Sequence, residues 1–248
     1  MRPGKIYIGT SGWSYSNWRG GFYPNEMASS EFLAFYSATY NASEINSTFY
    51  HIPRLKTVEK WIEGVPAGFK FCLKLSSYIT HKKRLHEPEE PLAVFFKAID
   101  PVKKMAGPVL IQLPPSLKFD LAIAKHFFMQ LKKLYQHYDF AIEPRHQSWF
   151  NEESIELLKH FQTSLVISES GNRYPYAEII TSKNIYVRFH GPDKLYDSPY
   201  ADKVLQQFAN KFRKWSQQGH SIWVFFNNTM HLDGLNNANT LKAMLEAH

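Results

Sequence analysis

Runs rich in Val, Ile, Phe and Tyr recur roughly every 25 to 40 residues along the chain, and each leads into a stretch that changes the period of its apolar positions. Eight β-type runs can be counted, at residues 5–9, 42–46, 69–74, 109–112, 140–143, 165–168, 185–190 and 222–226. Helical spacing predicts helices over 31–40, 56–63, 92–105, 121–138, 152–161, 201–217 and 237–247, while the connection 171–182 carries no helical pattern. Asp120 stands where an N-cap belongs, and Gly107 followed by Pro108 ends the third helical pattern.

Strands separated by helices pair in parallel, because a crossover helix returns the chain to the same end of a sheet. Eight repeats predict an α/β protein built as a single (β/α)8 TIM barrel, a closed parallel sheet of eight strands, with an open doubly wound sheet as the alternative. No Pro/Gly/Ser-rich linker or charge block divides the 248 residues, so one domain over 1–248 is expected.

Composition narrows the setting. With 44% hydrophobic and 16% aromatic residues the chain can bury a core without staples. The single cysteine, Cys72, lies in an apolar run, which excludes an intramolecular disulfide or a cysteine-cluster zinc site and suggests a buried thiol. No apolar stretch approaches the roughly 20 residues that cross a bilayer, and a strand is expected to begin almost at once, so the expectation is a cytoplasmic protein with no membrane contact. The net charge of +7 admits an anionic partner, a small molecule or nucleic acid. Its clusters, His81-Lys82-Lys83-Arg84 and Lys132-Lys133, are short enough to be solvated surface.

Candidate chemistry lies at the strand ends. Every expected strand finishes on polar residues, although a parallel strand buried on both faces should be nearly all apolar. In order these are Ser11 and Trp13; Glu44 and Asn46; Lys74; Gln112; Glu143, Arg145 and His146; Glu169; Arg188 and His190; Asn227 and Asn228. Alternation places Glu44 with Asn46, Glu143 with Arg145, and Arg188 with His190 on shared faces. In a barrel such C-terminal strand ends converge on one mouth.

Glu44, Glu143, Glu169 and His190 have the oxygen and imidazole donors that suit a divalent cation such as Mg, Mn or Zn. The alternative is a salt-bridged plug without an ion, Glu143 pairing with Arg145 or Lys74 and Glu44 with Arg188. Lys74, Arg145 and Arg188 could clamp a phosphate or carboxylate. A desolvated Lys74 could instead form a Schiff base with a carbonyl. His190, and with less support His146, could move a proton near neutral pH. Among the aromatics, Trp13, Tyr50 and Tyr196 are candidates to stack on a ligand, whereas Phe22, Tyr23 and Trp149 are expected to pack loops. Gly9-Thr10-Ser11-Gly12 fits neither a dinucleotide fingerprint nor a P-loop, and Ser11 lacks the nucleophile elbow of a serine hydrolase.

The segments Gly9-Thr10-Ser11-Gly12-Trp13, Glu44-Ile45-Asn46-Ser47-Thr48-Phe49-Tyr50, Thr80-His81, Gln112-Leu113-Pro114-Pro115-Ser116, Glu143-Pro144-Arg145-His146, Arg188-Phe189-His190-Gly191 and Phe226-Asn227-Asn228 resemble the YecE-like family, domain of unknown function 72. The resemblance runs in order over essentially the whole chain. It implies a TIM barrel with these motifs at its mouth, similar in shape to the endonuclease IV and xylose isomerase barrels, and it implies no activity. Glu169 stands where the family usually carries Asp, one methylene shorter.

Three functions are therefore open. The first is cation-assisted hydrolysis of a phosphate-containing substrate, nucleotide or nucleic acid, with Glu44, Glu143, Glu169 and His190 at the metal or acting as base, Lys74, Arg145 and Arg188 on the anion, and Asn46, Gln112 and Asn227 orienting groups. The second is metal-free acid/base or Schiff-base chemistry on a sugar or other carbonyl compound through Glu143, Glu44 and Lys74. The third is a non-enzymatic module that grips single-stranded nucleic acid at a basic, aromatic mouth.

Overall fold

Nine strands, separated by helices except from β6 to β8, make up the sheets of the computed structural model, which describes residues 2–247. They are β1 Ile6–Thr10, β2 Ala42–Ile45, β3 Lys70–Leu73, β4 Val109–Gln112, β5 Phe140–Glu143, β6 Ser164–Leu165, β7 Ile167–Glu169, β8 Asn184–Phe189 and β9 Ser221–Phe226. Every pairing among them is parallel, and all of the strand connections but those from β6 to β8 carry a helix.

The expected single closed eight-stranded barrel is corrected by the hydrogen bonding. The strands form three sheets, one of four strands in the order β1-β9-β8-β7, one of two, β2-β3, and one of three, β4-β5-β6. Side chains take over backbone groups at two of the three breaks, and at the third a proline interrupts the ladder. Between β1 and β2 only Ser11 and Glu44 form a bridge. There Ile8 N–H donates to Asn41 Oδ1 at 2.8 Å, Asn41 Nδ2 donates to Ile6 O at 3.0 Å, and Thr10 N–H donates to the Tyr36 hydroxyl at 2.7 Å. Between β3 and β4, Gly107 N–H reaches Phe71 O, Pro108 has no N–H to offer, and the next bond runs from Leu75 N–H to Leu110 O. The expected sixth strand, 165–168, is split. Val166 N–H stays with Ile142 O, Leu165 N–H turns to the Thr181 hydroxyl at 2.8 Å, and pairing with β8 begins only at Ile167.

The three sheets still face one interior. Ala42, Cys72, Leu110, Ala141, Val166, Tyr186, Trp223 and Phe225 form a buried cluster drawn from all three of them. Gly107 lies against it so closely that a Cβ would stand 2.5 Å from the Trp223 ring and 2.7 Å from Cys72 Sγ. Cys72 is a free, buried thiol.

Seven longer helices pack outside: α1 Phe32–Thr39, α3 Leu55–Glu63, α4 Glu89–Ile99, α5 Leu121–Leu134, α6 Glu152–His160, α7 Asp202–Gln217 and α8 Asp233–Glu246. The short α2, Ser47–Tyr50, was not visible as a periodic pattern. Asp120 caps α5 by accepting from Ile123 N–H at 3.0 Å. The pattern over 92–105 stops being α-helical at Ile99, where Pro101 removes a donor and the chain tightens into a 3-10 turn, Asp100–Met105. Among the described residues no helix is long and apolar enough to cross a membrane.

Candidate active site

The strand ends bring four charged side chains from three strands and one loop into one largely buried network. Glu44 is the third residue of β2, Glu143 the last of β5, and Arg188 the fifth of β8. Arg188 donates from Nε to Glu44 Oε2 at 2.9 Å and from Nη2 to Glu44 Oε1 at 2.7 Å, a two-pronged pair, and its Nη1 donates to Glu143 Oε2. Arg145, two residues beyond Glu143 on the same face, donates from Nε to Glu143 Oε1 at 2.9 Å. Glu44 is completed by the Ser11 hydroxyl at 2.7 Å and the Tyr186 hydroxyl at 2.8 Å. Burial alone would raise both carboxyls. The arginines outweigh it, so Glu44 is held below the usual carboxylate range and Glu143, beside Arg188 and Arg145, well below it.

His190 is fully buried at the edge of this network, its Nε2 3.5 Å from Glu143 Oε2 and its Nδ1 3.0 Å from Asn227 Nδ2. Burial lowers its pKa, with Glu143 opposing and Arg188 reinforcing, so the ring is neutral at pH 7. Tyr174 and Tyr196 stand edge-on to the ring, each 5.8 Å away between centroids. Arg145 stacks on Tyr174, Cζ 4.0 Å from the ring centroid, and donates from Nη1 to its hydroxyl at 3.0 Å.

Lys74 differs from its neighbours. It is 8% exposed, yet among the described residues its Nζ makes neither an ion pair nor a hydrogen bond, and it rests 3.9 Å from the centroid of the Phe49 ring. Burial, followed by the positive charge of Arg188, lowers its pKa to about 7, with Glu143 and Glu44 opposing only in part. A largely desolvated ammonium without an ion-pair partner is costly and has one ready form of relief, loss of the proton.

The remaining sequence candidates sort by contact. Asn46 Oδ1 and Glu169 Oε2 are buried without a partner, Glu169 using its other oxygen on Gly171 N–H at 3.3 Å. Gln112 is buried and donates to Leu113 O at 2.7 Å. Trp13 is half-buried, packing edge-on to Trp61 at 6.1 Å and against Phe71 at the margin of the core. Tyr50 is 69% exposed. His146 caps the turn Gln147–Phe150 through Ser148, and Asn228 ties Ser198 O to Asn237, so these two hold loops rather than face the lysine. Tyr23 and Trp149 are packing residues, each 1% exposed.

The expected cation site does not form. Among the described residues no group of three His, Cys, Asp or Glu is placed to hold an ion. The reason is Arg188, which lies between Glu44 and Glu143 and occupies both oxygens of the first and one of the second. A cation bridging them would have to displace a buried arginine.

Sequence reasoning passed over Tyr186, Tyr174, Phe49 and His81 as site residues. Tyr186 is two residues before Arg188, so alternation alone places it on the network's face. His81 was readable in the Thr80-His81 motif but is masked in sequence by the basic residues that follow it. Tyr174 lies in the patternless 171–182 connection.

Fold and site together define a parallel α/β protein with a desolvated lysine beside a locked arginine and carboxylate network at its strand ends. The sequence matches the family described as "Protein of unknown function DUF72" over residues 7–248, and the chain belongs to that family. It is 24% identical to UPF0759 protein YecE of Escherichia coli K12, over 86% of this chain and 82% of that one. To UPF0759 protein YunF of Bacillus subtilis 168 it is 26% identical, over 97% and 95%. The crystal structure of a DUF72 family protein from Thermotoga maritima superposes with a TM-score of 0.85 at 30% identity, covering 98% of this chain and 99% of that one. One from Enterococcus faecalis gives 0.84 at 21% identity, covering 97% and 95%.

Proposed function

We propose that the protein is a metal-free enzyme in which Lys74 attacks the carbonyl carbon of a small anionic substrate. The observation that carries this reading is Lys74, a side chain only 8% exposed whose Nζ rests on the Phe49 ring with no ion-pair or hydrogen-bond partner among the described residues. An amine with a pKa of about 7 is roughly half in its free, nucleophilic form at neutral pH, as Schiff-base lysines require. Its lone pair forms the C–N bond, both Nζ protons end on the carbonyl oxygen, and that oxygen leaves as water to give the imine.

The neighbouring residues have parts in this chemistry. Arg188 and Arg145 balance the charges of Glu44 and Glu143, so the ionised lysine is the surplus cation that an anionic group would meet on entry. Arg145 uses Nε and Nη1 on Glu143 and Tyr174, and its Nη2 remains a donor for a carboxylate or phosphate. Asn46 Oδ1 and Glu169 Oε2 can accept from substrate hydroxyls. Hydrolysis through a divalent cation is not favoured, because its ligands are committed to Arg188. A stacking grip on single-stranded nucleic acid needs accessible rings beside the cations, and of Trp13, Tyr50 and Tyr196 only Tyr50 is exposed.

The test is borohydride trapping on the purified full chain with a set of α-keto acids and phosphorylated ketoses and aldehydes, read by intact mass and peptide mapping. A reduced adduct at Lys74, lost in Lys74→Arg, is expected. No adduct at Lys74, or labelling that is unchanged in Lys74→Arg, overturns the reading.

A further inference from the structure

The Phe49 ring that contacts Lys74 has a second polar neighbour. His81 meets it edge-on, ring centroids 5.0 Å apart at 84°, so the imidazole and the Lys74 amine both contact this one ring, and the amine's charge is felt at the imidazole. Thr80, fully buried, holds His81 Nδ1 at 2.8 Å through its hydroxyl, which also reaches Ser76 O at 3.3 Å. When that hydroxyl donates to Ser76 O, it accepts from Nδ1–H. Nε2 is then a bare lone pair, and among the described residues it has no hydrogen-bond partner.

The segment carrying His81 is built at a cost. Tyr78–Lys82 is one turn of π-helix, a form that is rare and concentrated at functional sites. Arg84, Leu85 and Glu87 then take φ values of +53°, +70° and +41°, three non-glycine residues in the left-handed region within four positions. Strain of this kind persists only where surrounding contacts hold it. Here Arg84 is pinned to Ser116 by bonds of 3.1 and 2.8 Å, and the Leu85 side chain is buried. The charges of Lys74, Arg145 and Arg84 add to burial in keeping the ring unprotonated, with a pKa of about 4.

We infer that His81 is the proton-transfer residue of the Lys74 site, and that the substrate class is an enolisable anionic carbonyl compound with a hydrogen on the carbon next to the carbonyl. This rests on the Schiff-base reading of Lys74. Once the imine is protonated, His81 Nε2 takes the proton from that carbon. The C–H electron pair becomes the C=C bond of an enamine, and the C=N pair returns to Nζ. Reversal delivers a proton from solvent to the carbon, so no oxidant or further reactant is needed.

Pyruvate and dihydroxyacetone phosphate serve as probes in D2O, with exchange of the C–H signals followed by proton NMR and the Lys74 adduct trapped in parallel by borohydride. In His81→Asn and His81→Gln, trapping should stay within about twofold of wild type while exchange falls by about 100-fold or more, the scale of a lost general base. Lys74→Arg should lose both. Exchange at the wild-type rate with trapping intact overturns the role of His81 and leaves that of Lys74 standing. Loss of trapping in both His81 variants also overturns it, because His81 would then only shape the lysine. Absence of any adduct in the wild type with either probe removes the Lys74 reading, and the His81 step with it.

Discussion

Replacing Lys74 with methionine should make the protein more stable while abolishing its chemistry. The side chain keeps its length and its contact with Phe49 and loses a charge that the interior does not pair. A fall in pKa from 10.5 to about 7 on folding corresponds to about 5 kcal/mol of stability withheld when the group is fully charged in both states. Losing the cation over the Phe49 ring offsets about 1–2 kcal/mol of that, leaving a net gain of about 3 kcal/mol at pH 6. The unfolded chain keeps the Lys74 proton up to about pH 10.5, whereas the folded protein releases it near 7. Between those values the unfolded state binds more protons, so wild-type stability rises with pH relative to the variant. Urea unfolding of both proteins at pH 6, 7, 8, 9 and 10 reads the difference directly, other titrating groups cancelling between them. A methionine variant that is less stable at pH 6, or whose advantage is constant from pH 6 to 10, would refute the argument that this lysine is buried without compensation.

The carboxylate network gives predictions of the opposite sign. Glu44→Gln leaves the Arg188 fork facing an amide in a site that is fully buried, and should cost about 3–5 kcal/mol in denaturant unfolding; a loss under 1 kcal/mol would mean that the pair adds nothing. Glu143 has its pKa lowered on folding, so its contribution is complete above the unfolded value of 4.5 and is lost as pH falls through the folded one. In Glu143→Gln the acid-induced decline in stability below pH 4.5 should be shallower than in wild type, as followed by circular dichroism. Gly107→Ala places a methyl group 2.5 Å from the Trp223 ring, and about 1–3 kcal/mol of destabilisation with altered tryptophan fluorescence is expected; unchanged stability would refute the close packing of Gly107 on that ring.

Alternation at the strand ends made much of the site legible. The i, i+2 spacing of Glu143 with Arg145 and of Arg188 with His190 predicted shared faces, and these side chains do share one network, by hydrogen bonds for the first pair and by a 3.5 Å approach of the second to Glu143. His146 and Asn228 satisfied the same polar criterion and turned instead to loop backbone, since a residue past the strand end is no longer bound to the alternation of the pleat. His81 and Tyr174 lie on connections whose path depends on what they pack against, a π turn in one case and a segment without regular structure in the other.

The sequence by itself determined local quantities: the period of each run, the parallel sense of the strands, the cap at Asp120, the buried thiol, and the inventory of charges at the strand ends. The tertiary structure decided two matters that no period encodes. Whether a ladder continues depends on which donor lies nearer, and at β1 and β2 the side chains of Asn41 and Tyr36 replace the neighbouring strand, which opens the expected ring. Whether a carboxylate binds a cation or an arginine depends on distances of about an ångström between strands whose residues lie 45 and 144 positions apart in the chain. Arg188 lies within hydrogen-bonding reach of both Glu44 and Glu143, and that placement leaves Lys74 as the cation without a counterion.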